Sequence, residues 1–230
     1  NISSDQTIDG VKTFSSSPIV PTPTTNAQVA TKDYVDTKPS GFKNYIINGG
    51  FDVWQRGTIF TANEAYSADR WAIGFASASC NVYKGGAVFS SGLNSIAFNG
   101  ANGNTISVLK QKIESMNCRA FKAGRQVTLS LEVYSNGISG NYSIDISLLR
   151  ANNIDDWSAS CEPISQNIQV PPNASTKFEL TYTIPSDYFQ WGTMVYINMS
   201  TGLQTGETLA FGNVQLEEGS VATPFEQRPY

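Results

Sequence analysis

The feature that most constrains the fold of this chain is a period-two alternation of apolar and polar residues. From Val127 to Val133 every second residue is aliphatic, and a similar alternation recurs in the segments 142–148 and 177–184. Successive side chains of a β-strand point to opposite faces, so each segment can bury one apolar face and leave the other polar. The alternation therefore predicts strands that pack against a core on one side.

Other segments rich in β-branched and aromatic residues predict further strands. These segments are residues 71–75, 97–99, 106–113, 194–199 and 209–216. Asn136 and Gly137 form a favoured two-residue turn between the first two alternating segments, which predicts an antiparallel hairpin there. Strands of this length without a long helical pattern indicate an all-β fold, a β-sandwich of two packed sheets.

Charge and hydrophobicity argue against two classes of partner. The 230 residues carry a net charge of -4, and only 15% of them are charged. Without a basic stripe, nucleic-acid binding is disfavoured and a neutral polar ligand fits better. No segment reaches the roughly 18 to 20 apolar residues that a transmembrane helix needs, so we expect no membrane insertion.

The absence of histidine restricts the chemistry available to the chain. Ser-His-Asp and Cys-His arrangements and the His-Glu-x-x-His metal motif are ruled out, which leaves a carboxylate pair of the glycosidase kind. Candidate carboxylates occur in several places, but the adjacent Glu217 and Glu218 would face opposite sides of a strand. We therefore expect no catalytic residues and no enzymatic activity. The three cysteines, Cys80, Cys118 and Cys161, match neither a disulfide framework nor a zinc site and are expected to be reduced, buried thiols.

Residues 1–42 differ from the rest of the chain. They contain four prolines and thinly spread apolar residues, and they end in a predicted short helix with Thr25 or Asn26 as its N-cap and Pro39 and Gly41 as stop signals. The apolar stripe of this helix is too short to hold it in isolation. Such a stripe can be buried by further copies of the same segment.

Two sets of motifs resemble known proteins. The segments NYIINGGFDVWQRG (residues 44–57) and GNVQLEEGSVATPFEQRPY (212–230) together resemble the C-terminal domains of tailed-bacteriophage tail fibres. The opening SSDQTIDGVKTFSSSPIVPTPTTNAQVATKDYVD (3–36) is similar to the shaft segment that precedes such domains. Between about residues 72 and 210 the interpretation depends on sequence pattern alone.

The resemblance implies a receptor-binding protein of the virion, assembled in the bacterial cytoplasm. Residues 1–42 would be a shaft end that trimerises, and residues 43–230 a jelly-roll tip that binds a bacterial surface polysaccharide without cleaving it. Its partners would be two further copies of the chain, the remainder of the tail fibre and a cell-surface glycan. Two alternatives stay open: a structural assembly module that binds no sugar, and a capsule-degrading glycosidase.

Sugar recognition uses aromatic faces flanked by hydrogen-bonding side chains. Trp157 in NNIDDWSAS, and Tyr188 and Trp191 in PSDYFQWG, fall in turn-like sequence where burial is harder, whereas Trp54, Trp71 and Phe51 are expected to be packing residues. The predicted glycan-binding set is Trp157, Tyr188, Trp191, Asp155, Asp156, Gln190 and, on the polar face of its strand, Tyr134. The alternative is that these aromatic residues plug the ends of the sandwich or subunit interfaces.

The resemblance also implies two features outside this set. Arg56, Asp69 and Arg70 recur together in the related domains and would form a charged latch that packs against the closing segment. No cofactor is expected, although jelly-roll sugar binders often hold a structural calcium ion, for which Asn48, Asp52 and Glu217 are candidate oxygen ligands.

We predict that residues 1–42 drive the formation of a homotrimer, because one chain cannot bury their apolar positions. Light scattering should report a trimeric mass for the full chain and a smaller mass for a fragment that starts at Phe42. A monomeric full-length chain would contradict this prediction.

Overall fold

The computed structural model describes Gly10, residues 42–89 and residues 94–228, apart from the side chains of residues 160–162. From Phe42 onward these residues form one compact unit. The predicted shaft segment and its short helix lie outside the described residues, except for Gly10. Among the described residues, no helix is long and apolar enough to cross a membrane.

Eleven strands are described in this unit, and two short 3₁₀ turns lie at Ser115–Asn117 and Asp187–Trp191. The strands are β1 (Ile59–Phe60), β2 (Ala72–Ser77), β3 (Asn81–Gly85), β4 (Ser95–Asn99), β5 (Asn104–Glu114), β6 (Gln126–Asn136), β7 (Tyr142–Asn153), β8 (Asp156–Val170), β9 (Ser175–Thr183), β10 (Gly192–Met199) and β11 (Thr208–Glu218). Every segment predicted as a strand overlaps one of them.

The strands form two antiparallel sheets that pack as a jelly-roll β-sandwich, as predicted. Sheet 1 has six strands in the order β1-β3-β4-β11-β6-β9, and sheet 2 has five in the order β2-β5-β10-β7-β8. The last strand, β11, is central in sheet 1, between β4 and β6, whereas β1 is at an edge and pairs with β3. The first and last strands are therefore not paired, unlike in many jelly-roll sugar binders.

The core lies between the two sheets and is built from the predicted apolar faces. Leu129 and Leu131 of β6 and Ile144 and Ile146 of β7 are completely buried. Trp71 is also completely buried, as expected for a packing residue. The period-two alternation therefore identified the core-facing side of these strands correctly.

The predicted hairpin between β6 and β7 is wrong, because the two strands belong to different sheets. The connection after Asn136 crosses from one sheet to the other and buries Ile138 in the core. Gly137 has a φ of 72°, and a Cβ there would lie 2.2 Å from the carbonyl oxygen of Gly206. The glycine is needed for this close approach of two loops, and not for a two-residue turn.

The 15-residue strand β8 was not predicted. The run around Trp157 was expected to be turn-like, but the turn is confined to Ile154 and Asp155, and Trp157 lies in the strand. Strand β8 forms an edge of sheet 2 and includes Pro163, a residue that edge strands tolerate. Because much of this edge is exposed, the strand lacks the apolar alternation that reveals central strands.

The two family-like segments meet at β11. The amide of Tyr45 donates to the carbonyl of Leu216 at 2.8 Å, and the amide of Val214 donates to the carbonyl of Gly49 at 3.0 Å. The segment 219–228 forms no strand and extends over the outer side of β11; it contains Pro224, which has no amide donor for a sheet. We call residues 44–50 the entry segment and residues 219–228 the strap.

The strap covers two polar side chains that point away from the core. Val214 and Leu216 face the core, while Gln215 and Glu217 face outward yet are 0% and 3% exposed. The Glu217 carboxylate accepts hydrogen bonds from the Thr223 amide and hydroxyl, each at 2.8 Å, and from the Gln215 side chain at 2.8 Å. The Gln215 oxygen accepts from the amide of Glu226 at 2.7 Å.

Two of the three cysteines can be placed in the fold. Cys80 and Cys118 are buried and form no disulfide, as expected. Burial raises the pKa of both thiols, that of Cys118 to about 12. The side chain of Cys161 lies outside the described residues.

We predict that Glu217→Ala destabilises the domain by about 1–3 kcal/mol, because the buried donors of Thr223 and Gln215 lose their acceptor. Chemical denaturation should show the loss. Glu179→Ala is the matched control: its carboxylate is exposed and pairs with Lys177, so its removal should change stability by about 0.5 kcal/mol or less. Equal stability of the two variants would refute the structural role of Glu217.

Candidate functional site

Three connections gather at one end of the sandwich, which we call the loop end. They are the β5–β6 loop (115–125), the β7–β8 turn (154–155) and the β9–β10 loop (184–191). The Asp155 carboxylate accepts from the Ser115 amide and hydroxyl, each at 2.7 Å, and the Asp155 amide donates to the Trp191 carbonyl at 2.8 Å. The Asp187 carboxylate accepts from the Ala123 amide at 2.9 Å. These bonds fix the three connections to one another.

The structure brings most of the predicted glycan-binding residues to this end. The residues at the loop end are Asp155, Asp156, Trp157, Tyr188, Gln190 and Trp191. Tyr134 is elsewhere, because it projects from the outer face of sheet 1, where it packs with Tyr83 against a small cluster around Phe89. The predicted glycan-binding residues therefore do not form one continuous surface.

The polar members of the set have local partners in the protein. Asp155 holds Ser115, Asp156 accepts from the Ser158 amide at 2.9 Å, and Gln190 donates to the Asp187 carbonyl at 3.3 Å. The hydrogen bonds from Ser158 lower the pKa of Asp156. These side chains fix turns, which differs from the direct sugar contacts that their sequence context suggested.

The aromatic members form two separate groups. The rings of Tyr188 and Trp191 lie 4.5 Å apart, and the Arg150 guanidinium lies 5.2 and 5.8 Å from their centroids. Trp157 lies beside Gly192, where a Cβ would come within 3.1 Å of its indole, and the Lys112 ammonium is 5.3 Å from its ring centroid. Of the three aromatic residues, only Trp157 lines the groove described next.

A groove of about 440 Å³ crosses the outer face of sheet 2 beside the loop end. Its lining residues are Glu64, Tyr66, Arg70, Ala72, Lys110, Lys112, Glu114, Asp155 and Trp157. Three charged side chains of β5 face outward, namely Lys110, Lys112 and Glu114. The neighbouring Leu109 and Ile113 point into the core, and successive side chains of a strand alternate between its two faces. Tyr66 contributes a half-exposed second aromatic side chain.

Ion pairs neutralise much of the charge in this groove. Lys110 pairs with Glu64 at 2.6 Å, and Arg70 pairs with Glu114. Burial raises the pKa of Glu114, but the hydrogen bonds from Arg70, the Glu114 backbone and Asn117, together with the Arg70 charge, outweigh burial, so its pKa lies below the ordinary value. Sequence reasoning missed these residues. The charged side chains at every second position of the predicted strand 106–113 were the available signal, because they mark its outward face.

The predicted latch is present only in part. Arg56 forms an ion pair with Asp69 at 3.1 Å and also lies 5.7 Å from the ring centroid of Tyr66. Arg70 instead turns to Glu114 in the groove. It is Asp52, rather than the latch residues, that accepts a hydrogen bond from Gln227 of the strap, at 2.8 Å.

The candidate calcium ligands have other partners. The Asn48 side chain hydrogen-bonds to backbone groups of Asp52, Val53 and Asp69, and Glu217 is held by Thr223 and Gln215. In the part of the chain that the structure describes, no group of three or more Asp, Glu, His or Cys side chains is arranged to hold a metal ion.

No protein-family model and no curated protein sequence matches this chain. Among solved structures, the enzymatically active domain of bacteriophage CBA120 tailspike protein 4 superposes with a TM-score of 0.51 at 14% identity. That match covers 77% of this chain and 22% of the tailspike chain. The likeness shows a shared β-sandwich fold.

Two further structures with lower scores have different functions. The structure of CBM4 superposes with a TM-score of 0.46 at 20% identity, and the match covers 76% of this chain and 99% of the CBM4 chain. A cyclase from Fischerella sp. TAU has a TM-score of 0.49 at 13% identity, with 77% and 98% of the two chains covered. At 14% identity the likeness to the tailspike domain shows the fold alone, so the function has to be inferred from the groove.

We predict that Trp157→Ala lowers the free energy of unfolding by about 1 kcal/mol or less, because the indole is part-exposed and lies outside the core. Trp71→Ala should instead cost about 3–5 kcal/mol, since Trp71 is completely buried. Thermal and chemical denaturation of both variants compare the two sites. A loss at Trp157 as large as that at Trp71 would assign it to the core.

Proposed function

We propose that this chain is the distal part of a phage tail fibre and that its β-sandwich binds a bacterial surface polysaccharide in the groove on sheet 2. The observation that carries the proposal is the combination of Trp157 and Tyr66 with alternating polar side chains of β5 in one groove. Its volume of about 440 Å³ lies in the range of small-molecule sites. The tail-fibre assignment is supported by the family-like segments at both ends of the domain.

The residue types in the groove suit a sugar ring. An aromatic face can lie against the C–H groups of a pyranose, and charged side chains can bind its hydroxyl groups with charge-assisted hydrogen bonds. Glu64, Lys110, Arg70 and Glu114 already hold one another in ion pairs, so little ordering of these side chains is needed when a ligand binds.

Binding without cleavage is supported by the state of the groove carboxylates. A glycosidase needs one carboxylic acid that stays protonated until it donates to the leaving group. Glu114 has a lowered pKa, Glu64 is paired with Lys110, and Asp155 is held by two donors of Ser115. The lowered pKa of Glu114 favours its ionised carboxylate, which is the wrong form for a general acid, and the Glu64 and Asp155 carboxylates already have partners in the protein.

Trimerisation through residues 1–42 would give three grooves on one particle. Single sugar sites bind weakly, and linking them raises the overall avidity by orders of magnitude when all can engage the same surface. The proposed shaft and the proposed groove therefore support the same role in adhesion to a host cell.

One observation favours a structural assembly module as the second candidate. Met116, Ile154 and Tyr188 are 72%, 65% and 48% exposed, and all belong to the loop end. Exposed apolar side chains that lie together can mark a protein interface. If these residues pack against another copy of the chain, the loop end serves assembly and the groove has no ligand.

Binding of the full chain to a panel of purified capsular and cell-wall polysaccharides tests the proposal. Trp157→Ala should weaken the binding of any recognised polysaccharide by about tenfold or more, as expected for an aromatic anchor. Tyr134→Ala is the matched control, since Tyr134 lies on the outer face of sheet 1, and it should bind like the unaltered chain.

Three results would contradict parts of the proposal. Absence of binding across the panel would favour the assembly module. Equal binding by the Trp157→Ala variant would place the site elsewhere. Release of reducing ends from a bound polysaccharide would indicate a glycosidase.

A further inference from the structure

Lys112 differs from the other cations of the groove in its partners. Lys110 and Arg70 each form an ion pair with a glutamate, whereas no ion pair joins Lys112 to any carboxylate whose side chain the structure describes. Its interaction is with the face of Trp157, at 5.3 Å from the ring centroid. Lys112 is exposed, so this cation–π contact is weak and the ammonium can turn to a ligand.

The Asp155 carboxylate in the groove wall is already bound by other groups of the protein. Both oxygens of the Asp155 carboxylate accept hydrogen bonds from Ser115, one from its amide and one from its hydroxyl. These bonds tie Asp155 to the β5–β6 loop, and no ion pair joins Asp155 to Lys112. The Trp157 end of the groove thus combines an aromatic face with one cation that lacks an anionic partner.

We propose that this end of the groove selects a sugar unit that carries a single negative charge, with its ring on Trp157 and its anionic group on Lys112. The proposal rests on the polysaccharide-binding function above and names the class of ligand. A charge-assisted hydrogen bond to an ammonium is stronger than one between neutral groups. A neutral sugar would leave the Lys112 charge without a partner.

The anionic group can be a uronic acid carboxylate or a phosphodiester, because both present one negative charge. The neighbouring Lys110 and Arg70 keep their glutamate partners, so Lys112 is the one cation of the groove lining outside an ion pair with a described carboxylate, which does not match a multiply charged group. The positive charge of Lys112 is opposite in sign to the net charge of -4 of the whole chain, which by itself favoured a neutral ligand. The repulsion from the whole chain acts over a longer distance and is therefore screened by salt more strongly than the direct contact with Lys112.

The experiment uses the full chain and three kinds of polysaccharide. The first kind comprises uronic-acid-containing capsular polysaccharides, each in its native form and after chemical reduction of its carboxyl groups to alcohols. The second is a glycerol-phosphate teichoic acid, and the third comprises neutral polysaccharides. If the anionic group is a carboxylate, we expect the chain to bind a uronic-acid polymer with an affinity that falls at least about tenfold after carboxyl reduction. If it is a phosphodiester, we expect the chain to bind the teichoic acid.

Three lysine variants test whether Lys112 is responsible. Lys112→Gln should lower affinity for the acidic polymer at least about tenfold and remove the difference from its reduced form. Lys112→Arg should retain the preference, and Lys122→Gln, which alters an exposed lysine of the loop end outside the groove, should change nothing. A purely structural role of Lys112 would instead lower affinity for native and reduced polymers alike.

Failure of this proposal can be told from failure of the proposed function. Binding to neutral polysaccharides only, or equal binding of native and reduced polymers, overturns the charge preference and leaves polysaccharide binding in place. An unchanged preference in the Lys112→Gln variant also overturns it. No binding to any polymer overturns both.

Discussion

The buried carboxylate of Glu217 is the interaction on which the arrangement of both ends of the domain depends. Strand β11 is central in sheet 1, and its outward side chains Gln215 and Glu217, an amide and a carboxylate, are buried under the strap. A buried carboxylate is costly unless donors surround it. Thr223 and Gln215 supply them, and Glu226 of the same strap accepts the amides of Lys43 and Asn44 at 2.6 and 3.2 Å. The strap therefore joins β11 to the start of the domain.

The same region positions the groove through two polar side chains. Asn44 links the entry segment to β11, since its oxygen accepts from the Leu216 amide at 3.1 Å. Gln111 of β5 exchanges two hydrogen bonds with the backbone of Ile47, each at 2.9 Å. Because Gln111 lies between Lys110 and Lys112, this inward contact holds the strand whose outward side chains line the groove. The groove thus depends on a segment that does not line it.

Particular residues show what the sequence could predict. Val127 to Val133 identified a core-facing strand because a central strand buries one whole face. Asn136–Gly137 led to the wrong hairpin prediction because glycine permits the close approach of two backbones as well as a tight turn. The backbone that approaches Gly137 is that of Gly206, 69 positions away in the chain, which the local sequence does not reveal. Trp157 was found as a candidate because it stands in a polar run, although that run begins an edge strand. Lys112 was missed because an alternating charge in a strand usually means only solvent exposure.

The loop-end aspartates illustrate how the site is stabilised. Asp155, a member of the predicted glycan-binding set, and Asp187 both bind backbone amides of the β5–β6 loop. Weak sugar affinity leaves little free energy for ordering loops during binding, so loops that are already fixed favour recognition. Asp155 lies two positions before Trp157 and binds Ser115, which directly follows β5. The Asp155 carboxylate thus links the end of the strand that carries Lys112 to the start of the strand that carries Trp157. A site that binds one charge beside one aromatic ring needs the separation of these two side chains to be constant.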